Sequence, residues 1–462
     1  MIVVIGAGIS GLAAAHELAE RGEEVLVLER SDRAGGLVAT EHVDGCLFEH
    51  GPNSVPASAE RITTLARELG IESEITHSRP SAARRFVFYR SRLHPVPTGP
   101  RALLRSQIFT PPQKLRMLAE PFIPRRRGAD RPESVAHFIA RRFGRAPART
   151  LVDAFVSGIY AGDARRLGVD AAFPRLVEME REHGSIIRGM RRRAKKARKE
   201  GRPAASTDLI SFREGFGQLI DALVARLGAR IRLNAEVSSL RPCDGGYKVL
   251  VNQPGGGAEE ISCRGVVIAA PARAAGLLLT KVAPMCSDLL FDIEHAPLLG
   301  IHAIFDAEQL DRLPAAFGFL VPRPQRLRTL GWLFQSMIFE GRAPEGKVAL
   351  TGFFGGVLDP TILDASESAV THLALGELSM ALRMASIPEP EYWKLNAYRP
   401  GIPQYDLGHR RRMNAIRALL EPSPGLAVVG NYIGGIALDE CVRNGRAGAA
   451  EVAAAVARSA TA

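Results

Sequence analysis

The chain opens on four β-branched residues, Ile2–Ile5, an apolar run that reads as a strand buried on both faces of a parallel sheet. Gly6-Ala7-Gly8-Ile9-Ser10-Gly11 follows directly. Leu12–Arg21 then reads as a helix, Gly22 stops it, and Glu24–Leu28 returns to a strand pattern closed by Glu29. Val43–Phe48 alternates, as a half-buried strand does. From 90 to 200 the pattern is largely helical. Leu103, Leu104, Ile108 and Phe109 precede Pro111-Pro112, and Leu115, Met117, Leu118, Phe122 and Ile123 precede Pro124. Strand-like runs come back at Arg230–Val237, Tyr247–Val251 and Gly265–Ala270, the last ending on Pro271. Pro424–Leu438 predicts a strand and a glycine turn, and Val442–Val456 a closing helix. This mixture predicts an α/β protein, α+β overall. No apolar run reaches the roughly 20 residues of a bilayer-spanning helix before Gly, Arg or Pro interrupts it.

The first turn carries chemistry. A GxGxxG between a strand and a helix places unpaired backbone N–H groups and the helix dipole where a pyrophosphate would sit. Gly6 permits the tight turn, Gly8 lets backbone approach the phosphates, and Gly11 allows close helix–strand packing. Glu29, 18 residues past Gly11, can accept hydrogen bonds from a ribose diol. The alternative is a Gly-rich turn with no nucleotide. Beyond Glu29 come Arg30 and then Arg33-Ala34-Gly35-Gly36-Leu37, an RxGG, and Gly51-Pro52-Asn53-Ser54. Dinucleotide domains for NAD do not usually carry this second glycine pair.

This arrangement resembles the FAD-binding oxidoreductases of the flavin amine oxidase superfamily. Further motifs narrow the likeness: Gly158-Ile159-Tyr160-Ala161-Gly162-Asp163, Ala172-Phe173-Pro174, Glu178–Ile187, Phe212-Arg213-Glu214-Gly215, Phe317–Pro322, Ile402-Pro403-Gln404-Tyr405 with Gly408-His409, and Gly430-Asn431 through Cys441. In this order, from residue 2 to about 456, they resemble the porphyrinogen oxidases. The resemblance implies a Rossmann-like, discontinuous FAD domain (1–80, 205–285 and 410–462), a helical insertion domain (85–204) and a mixed-sheet substrate domain (286–409). It implies non-covalent FAD held by Gly6, Ala7, Gly8, Ile9, Ser10, Gly11, Glu29, Arg30, Arg33, Gly35, Gly36, Leu37, Gly51, Pro52, Asn53 and Ser54. Val237 would lie by the adenine, with a core valine as the alternative. Tyr398, Gly430, Asn431, Ile436, Ala437 and Leu438 would lie by the isoalloxazine. Tyr398 stands where the family often has Trp, and Ala437 where it has Gly, a change that would crowd the flavin edge.

The activity implied is oxidation of protoporphyrinogen IX or coproporphyrinogen III to the porphyrin in haem biosynthesis. Six hydrogens leave in three two-electron rounds, with hydride to flavin N5 and O2 as acceptor, giving H2O2. No side chain is then needed as catalytic acid or base, and no metal. Arg85 would bind a propionate, since a guanidinium fork suits a carboxylate. Asn53 and the Gly158 carbonyl would face the ring, with Phe317, Phe319 and Phe353 as apolar walls; a wetted surface for Arg85 and core packing for the Phe residues are the alternatives. Competing functions are another oxidase or desaturase of the superfamily, or an FAD-binding homologue without turnover. The strand His295–Asp306 lacks the lysine that amine oxidases commonly hold there, which weighs against amine oxidation.

Composition adds a question of charge. The 462 residues hold 60 Lys+Arg against 49 Asp+Glu, a net charge of +11, and 52 of the basic residues are Arg. Arg188–Arg202 is the densest basic run, and it lacks the interleaved aromatics and docking motif of a nucleic-acid binder. It reads as a solvated helix or loop, with anionic lipid or a polycarboxylate substrate as alternative partners. The apolar residues of 103–123 would face a membrane surface, the domain interior or a homodimer interface. Five scattered cysteines (Cys46, Cys243, Cys263, Cys286, Cys441) form no CxxC or metal spacing and fit a reducing compartment. With no signal-peptide pattern, the expectation is a cytoplasmic protein, peripheral contact with the inner face of the membrane being open.

Overall fold

The computed structural model describes residues 1–126, 131–199, 207–253 and 255–461. Its first sheet is five-stranded and parallel, in the order Ile231–Arg232, Val25–Leu28, Ile2–Ile5, Gly265–Ile268, Leu426–Val428. Strands from three distant stretches thus share one sheet, the arrangement expected of a discontinuous Rossmann-like unit. Ile2–Ile5 is wholly buried because both faces are covered. Helices Ile9–Glu20, Gly217–Leu227 and Leu438–Thr461 pack on one face through Leu12, Leu219, Leu223, Val442 and Val452. The other face carries the antiparallel meander Glu236–Cys243, Gly246–Asn252, Ala258–Cys263 and the helices Ala272–Leu279 and Pro284–Phe291.

One expected strand is divided. Arg230–Val237 breaks at Asn234, which takes φ +52°, a left-handed conformation that Asn tolerates better than most residues. Ile231–Arg232 stays in the parallel sheet, while Val237 opens the meander. Asn234 N–H donates to the Ser31 carbonyl and Ala235 N–H to the Glu29 carbonyl, at 2.9 and 2.8 Å. The break therefore brings Val237 beside the end of the Glu29 strand.

The second sheet is seven-stranded and mixed, in the order Tyr392–Pro403, His295–Asp306, Lys347–Gly355, Thr329–Leu333, Gly318–Leu320, Arg85–Tyr89, Arg92–Pro95. The stretch expected to begin the helical region at 85 thus begins with two strands of this sheet, because Arg85-Phe86-Val87-Phe88-Tyr89 is rich in aromatic and β-branched residues. Register settles which side chains share a face. Leu299, Ile301, Phe305, Phe319, Trp332 and Phe354 form a core covered by the helix Glu367–Leu382. Directly paired residues on the other face are Tyr398 with Leu298, Gly300 with Phe353, Phe353 with Gly331, Gly331 with Leu320, and Leu320 with Val87.

The helical region includes Pro100–Arg105, Pro111–Leu118, Val135–Phe143, Asp153–Tyr160, Pro174–His183 and Ile186–Lys199. A fully buried ion pair, Glu120 with Arg142, lies within it. Glu120 also accepts from Ser185 Oγ and from the N–H groups of Ile186 and Ile187, so it caps the basic helix. Of the basic run, 188–199 is helical and Arg202 lies outside the described residues. Phe122, Leu115 and Leu104 are exposed. No helix among the described residues is long and apolar enough to cross a membrane.

Candidate active site

Three glycine segments lie side by side at the end of the parallel sheet. Gly8 and Gly35 form an isolated parallel bridge, and Gly35 N–H donates to the Ala7 carbonyl at 2.8 Å. A Cβ on Gly36 would stand 3.2 Å from Gly8 Cα, and one on Gly51 would stand 2.2 Å from the Leu37 carbonyl oxygen. The residues Gly6–Gly11, Arg33–Leu37 and Gly51–Ser54 are thereby brought together. Arg33 turns back on its own loop, donating to the Ala34 and Gly36 carbonyls, while Arg30 is exposed. Glu29 is buried and accepts from Ala7 N–H at 2.7 Å and Ser31 N–H at 2.9 Å.

Gly8 tests whether this cradle fits a bound group. It starts the first helix with φ −69°, a value open to any residue, and a Cβ there would meet no atom of the described residues within 4 Å. The Gly11 requirement is internal, since its Cβ would lie 1.9 Å from the Gly6 carbonyl oxygen. Gly8 answers instead to empty space at a helix N-terminus, where a phosphate group fits. Asn53 adds an orphan: its Nδ2 is buried with no partner among the described residues, while its Oδ1 accepts from Ser54 Oγ. The residues present therefore fit a dinucleotide cofactor.

The later turn comes back to the same place. The helix Leu438–Thr461 crosses the first helix so closely that a Cβ on Gly445 would be 2.2 Å from the Ser10 carbonyl oxygen. Two helices thus meet near their N-termini. Gly430, Asn431, Ile436, Ala437 and Leu438 lead into the second, with Leu438 in the core and Ala437 exposed. The glycine that ends Phe212-Arg213-Glu214-Gly215 also has a cause. Gly215 takes φ +81°, and a Cβ there would strike Thr40 Oγ1 at 2.4 Å. Thr40 is needed in place, because it donates to the buried Glu49 at 2.8 Å. Burial pushes the Glu49 carboxyl up to about 7, against bonds from Phe216 N–H and Thr40 and the nearby Arg342.

The second sheet presents its non-core face to the helix Asp153–Tyr160. A Cβ on Gly158 would be 2.5 Å from Leu320 Cδ2. Gly158 lies in the last turn, and among the described residues no donor reaches its carbonyl. Phe353 is half-buried with Leu298, Leu330 and Ala161. Arg85 lies beyond Leu320 along the same face, its guanidinium 5.0 Å above the Phe317 ring. No acid pairs with Arg85 among the described residues. Loss of hydration pushes its pKa down with nothing to offset it, although part of the side chain is open to water. Phe319, expected as a wall, is a core residue 2% exposed that packs on Phe334. Adjacent strand residues point to opposite faces, so the pleat gives the face towards Gly158 to Leu320.

Tyr398 joins the cofactor segments through His50, with its hydroxyl 3.5 Å from His50 Nδ1. His50 Nε2 meets Glu41 at 2.9 Å, and Glu41 is paired with Lys394 at 2.7 Å. His302 lies behind them with its ring 5.0 Å from that of His50. Burial pushes His302 down to about 3 and Tyr398 up to about 12. The His50–His302–Glu41 group, Leu320 and the bonds of Gln404 and Tyr405 were not legible as site features. Only the Leu320 position had a signal, the period of two across Phe319-Leu320.

Residues 9–453 match the family of flavin containing amine oxidoreductases, and the chain belongs to it. It is an FAD-dependent oxidoreductase with a mixed α/β fold. Among its relatives, the chloroplastic protoporphyrinogen oxidase of Nicotiana tabacum is 32% identical over 98% of this chain and 85% of its own. The coproporphyrinogen III oxidase of Bacillus subtilis (strain 168) is 26% identical over 96% of each chain. The same fold is seen in a crystal structure from Exiguobacterium sp. 255-15, at TM-score 0.82 and 24% identity over 98% of each chain. It is also seen in cyclohexylamine oxidase from Brevibacterium oxydans IH-35A, at TM-score 0.72 and 18% identity over 98% of each.

Proposed function

We propose that this protein oxidises a porphyrinogen, protoporphyrinogen IX or coproporphyrinogen III, to the porphyrin in haem biosynthesis. The observation that carries the reading is Arg85: a guanidinium on the non-core face of the second sheet, stacked on Phe317, reached by solvent and paired with no acid among the described residues. Such a group suits a ligand that brings a carboxylate. Leu320 and Phe353 offer apolar contact to a macrocycle, and the free Gly158 carbonyl can accept from a pyrrole N–H. The relatives named above act on porphyrinogens by name, which supports the same substrate class here. When bound, FAD would supply the two-electron acceptor for the hydride that leaves a bridge carbon. The chain's part is to bind the propionate at Arg85, to hold the ring against Gly158 and to keep water away from the apolar face. Six hydrogens require three such rounds, and three O2 reduced to three H2O2 balance the electrons.

Anaerobic mixing of the FAD-loaded protein with each porphyrinogen tests this. Loss of the flavin absorbance with one of them, and formation of the porphyrin, is the expected result. An unbleached flavin with both overturns it. Comparison of the two substrates under the same conditions identifies the one used.

A further inference from the structure

Two adjacent side chains after the strand Tyr392–Pro403 reach in different directions. Gln404 and Tyr405 are each at most 2% exposed. Gln404 Nε2 donates to the Tyr160 carbonyl at 2.7 Å and to the Ile402 carbonyl at 3.1 Å. Its Oε1 lies where a Cβ on Gly162 would be 2.5 Å away, so Gln404 is packed into the turn that ends the Gly158 helix. Tyr405 reaches the other turn. Its hydroxyl donates to the Asn431 carbonyl and accepts from Gly435 N–H at 2.8 Å. Its ring stacks on His409 at 4.2 Å and 11°, and His409 Nε2 donates to the Tyr432 carbonyl at 2.8 Å. Tyr432 in turn donates to the Ala270 carbonyl at 3.1 Å, at the end of the parallel sheet.

We infer that Gln404 and Tyr405 are positioning residues, a two-residue clamp that fixes the Gly158 turn against the Asn431–Leu438 turn. This rests on the reading above, in which the first turn faces the substrate and the second the cofactor. The chemistry gives the clamp its purpose. Hydride transfer needs the reacting atoms about 3–3.5 Å apart, and a misplacement of about 1 Å can cost roughly 100-fold in rate. One turn belongs to the helical region and the other to the closing segment of the first sheet's unit. Hydrogen bonds from a single dipeptide reach both. Burial keeps the Tyr405 phenol neutral, with its pKa well above the usual tyrosine value, so the double bond of donor and acceptor persists across the working pH range.

Tyr405→Phe keeps the stacked ring and removes both bonds at the cofactor turn. Gln404→Met keeps the volume and frees the Tyr160 carbonyl. Both are compared with wild type, as FAD-loaded protein, for kcat and KM per bound flavin, for the visible spectrum and midpoint potential of the flavin, and for thermal unfolding. Tyr405→Phe is expected to shift the spectrum or potential and lower kcat at least tenfold with KM within twofold. Gln404→Met is expected to leave the spectrum and potential alone while lowering kcat and raising KM. The double variant should lose less than the product of the two single losses, because one broken register cannot be broken twice. Wild-type kcat per flavin and an unshifted spectrum in Tyr405→Phe overturn the clamp, as do independent losses in the double variant. Ile436→Trp separates this from failure of the site reading. If it moves neither FAD affinity nor the spectrum, the 431–438 turn does not face the flavin, and the premise fails whatever Tyr405→Phe does.

Discussion

Arg85→Ala removes the guanidinium and leaves the strand that carries it intact, so its consequence can be worked out from the site. In the free protein Arg85 has no carboxylate partner among the described residues, and its substitution breaks no internal ion pair. The loss should therefore fall on binding of an acidic ligand. A charge-assisted hydrogen bond contributes about 1.5–3 kcal/mol when removed. Arg85 is still partly open to solvent, which screens the pair, so about 1–2 kcal/mol is the reasonable figure. At about 1.4 kcal/mol per tenfold, KM should rise roughly 5- to 30-fold. Because a propionate sits far from the carbon that loses hydride, ground state and transition state lose the same contact, and kcat should stay within twofold. Arg85→Lys keeps the charge and loses the fork, so it should fall between the two. Phe317→Leu removes the ring beneath the guanidinium, a contact worth about 0.5–1 kcal/mol, and should raise KM only about two- to fivefold. Steady-state rates over a range of porphyrinogen concentration check each variant. An unchanged KM in Arg85→Ala, or a fall in kcat at constant KM, refutes the propionate contact.

Gly8→Ala should leave the thermal unfolding of the apoprotein unchanged and weaken FAD binding about tenfold or more, about 1.4 kcal/mol, whereas Gly11→Ala should destabilise the apoprotein itself. FAD titration and calorimetry separate the two, and equal effects on both quantities would contradict the cradle. Glu120→Gln removes one of the two carboxylates paired with buried Arg142, leaving Glu180 at 3.3 Å, and should cost up to about 3 kcal/mol in denaturant unfolding, while a Glu120→Leu, Arg142→Met double variant should cost less than the sum of its single changes. His302 is held neutral by burial, with its pKa lowered to about 3, so its contribution is whole above the unfolded-state value near 6.5 and is lost as pH falls toward about 3, on the order of 5 kcal/mol in all. His302→Phe should flatten the stability-against-pH curve in that window, and an unaltered slope would count against it.

Much of the parallel sheet was legible because its signals are local. Ile2–Ile5, the glycine turn and Glu29 lie within thirty residues, and each demands a conformation that its own side chains provide. Strands far apart in sequence were harder. Arg230–Val237 reads as one strand, and only the bonds from Asn234 and Ala235 to the Ser31 and Glu29 carbonyls show why it must turn. Arg85–Tyr89 forms a local hairpin with Arg92–Pro95, but the parallel neighbour that ties it into the larger sheet, Gly318–Leu320, lies more than two hundred residues on. The 3-residue strand Gly318–Leu320 is also too short for its own period to settle which face Phe319 takes. Tertiary pairing decides that, and it turns Phe319 into the core.

Charge was legible in amount and not in use. The run at 188–199 supplies most of the concentrated positive charge, and the structure gives it a local anchor in Glu120, which caps the start of its helix. Capping by a buried acid needs only the helix N-terminus and Arg142, and neither calls for a ligand. Arg85 is a single residue among 52 arginines, yet it lies on the non-core face of its sheet over an aromatic ring, with no acid paired to it among the described residues. A charge whose demand is met inside the chain explains the fold. A charge left unmatched at an open face points outward to a ligand, and Arg85→Ala, which breaks no ion pair among the described residues, distinguishes the two.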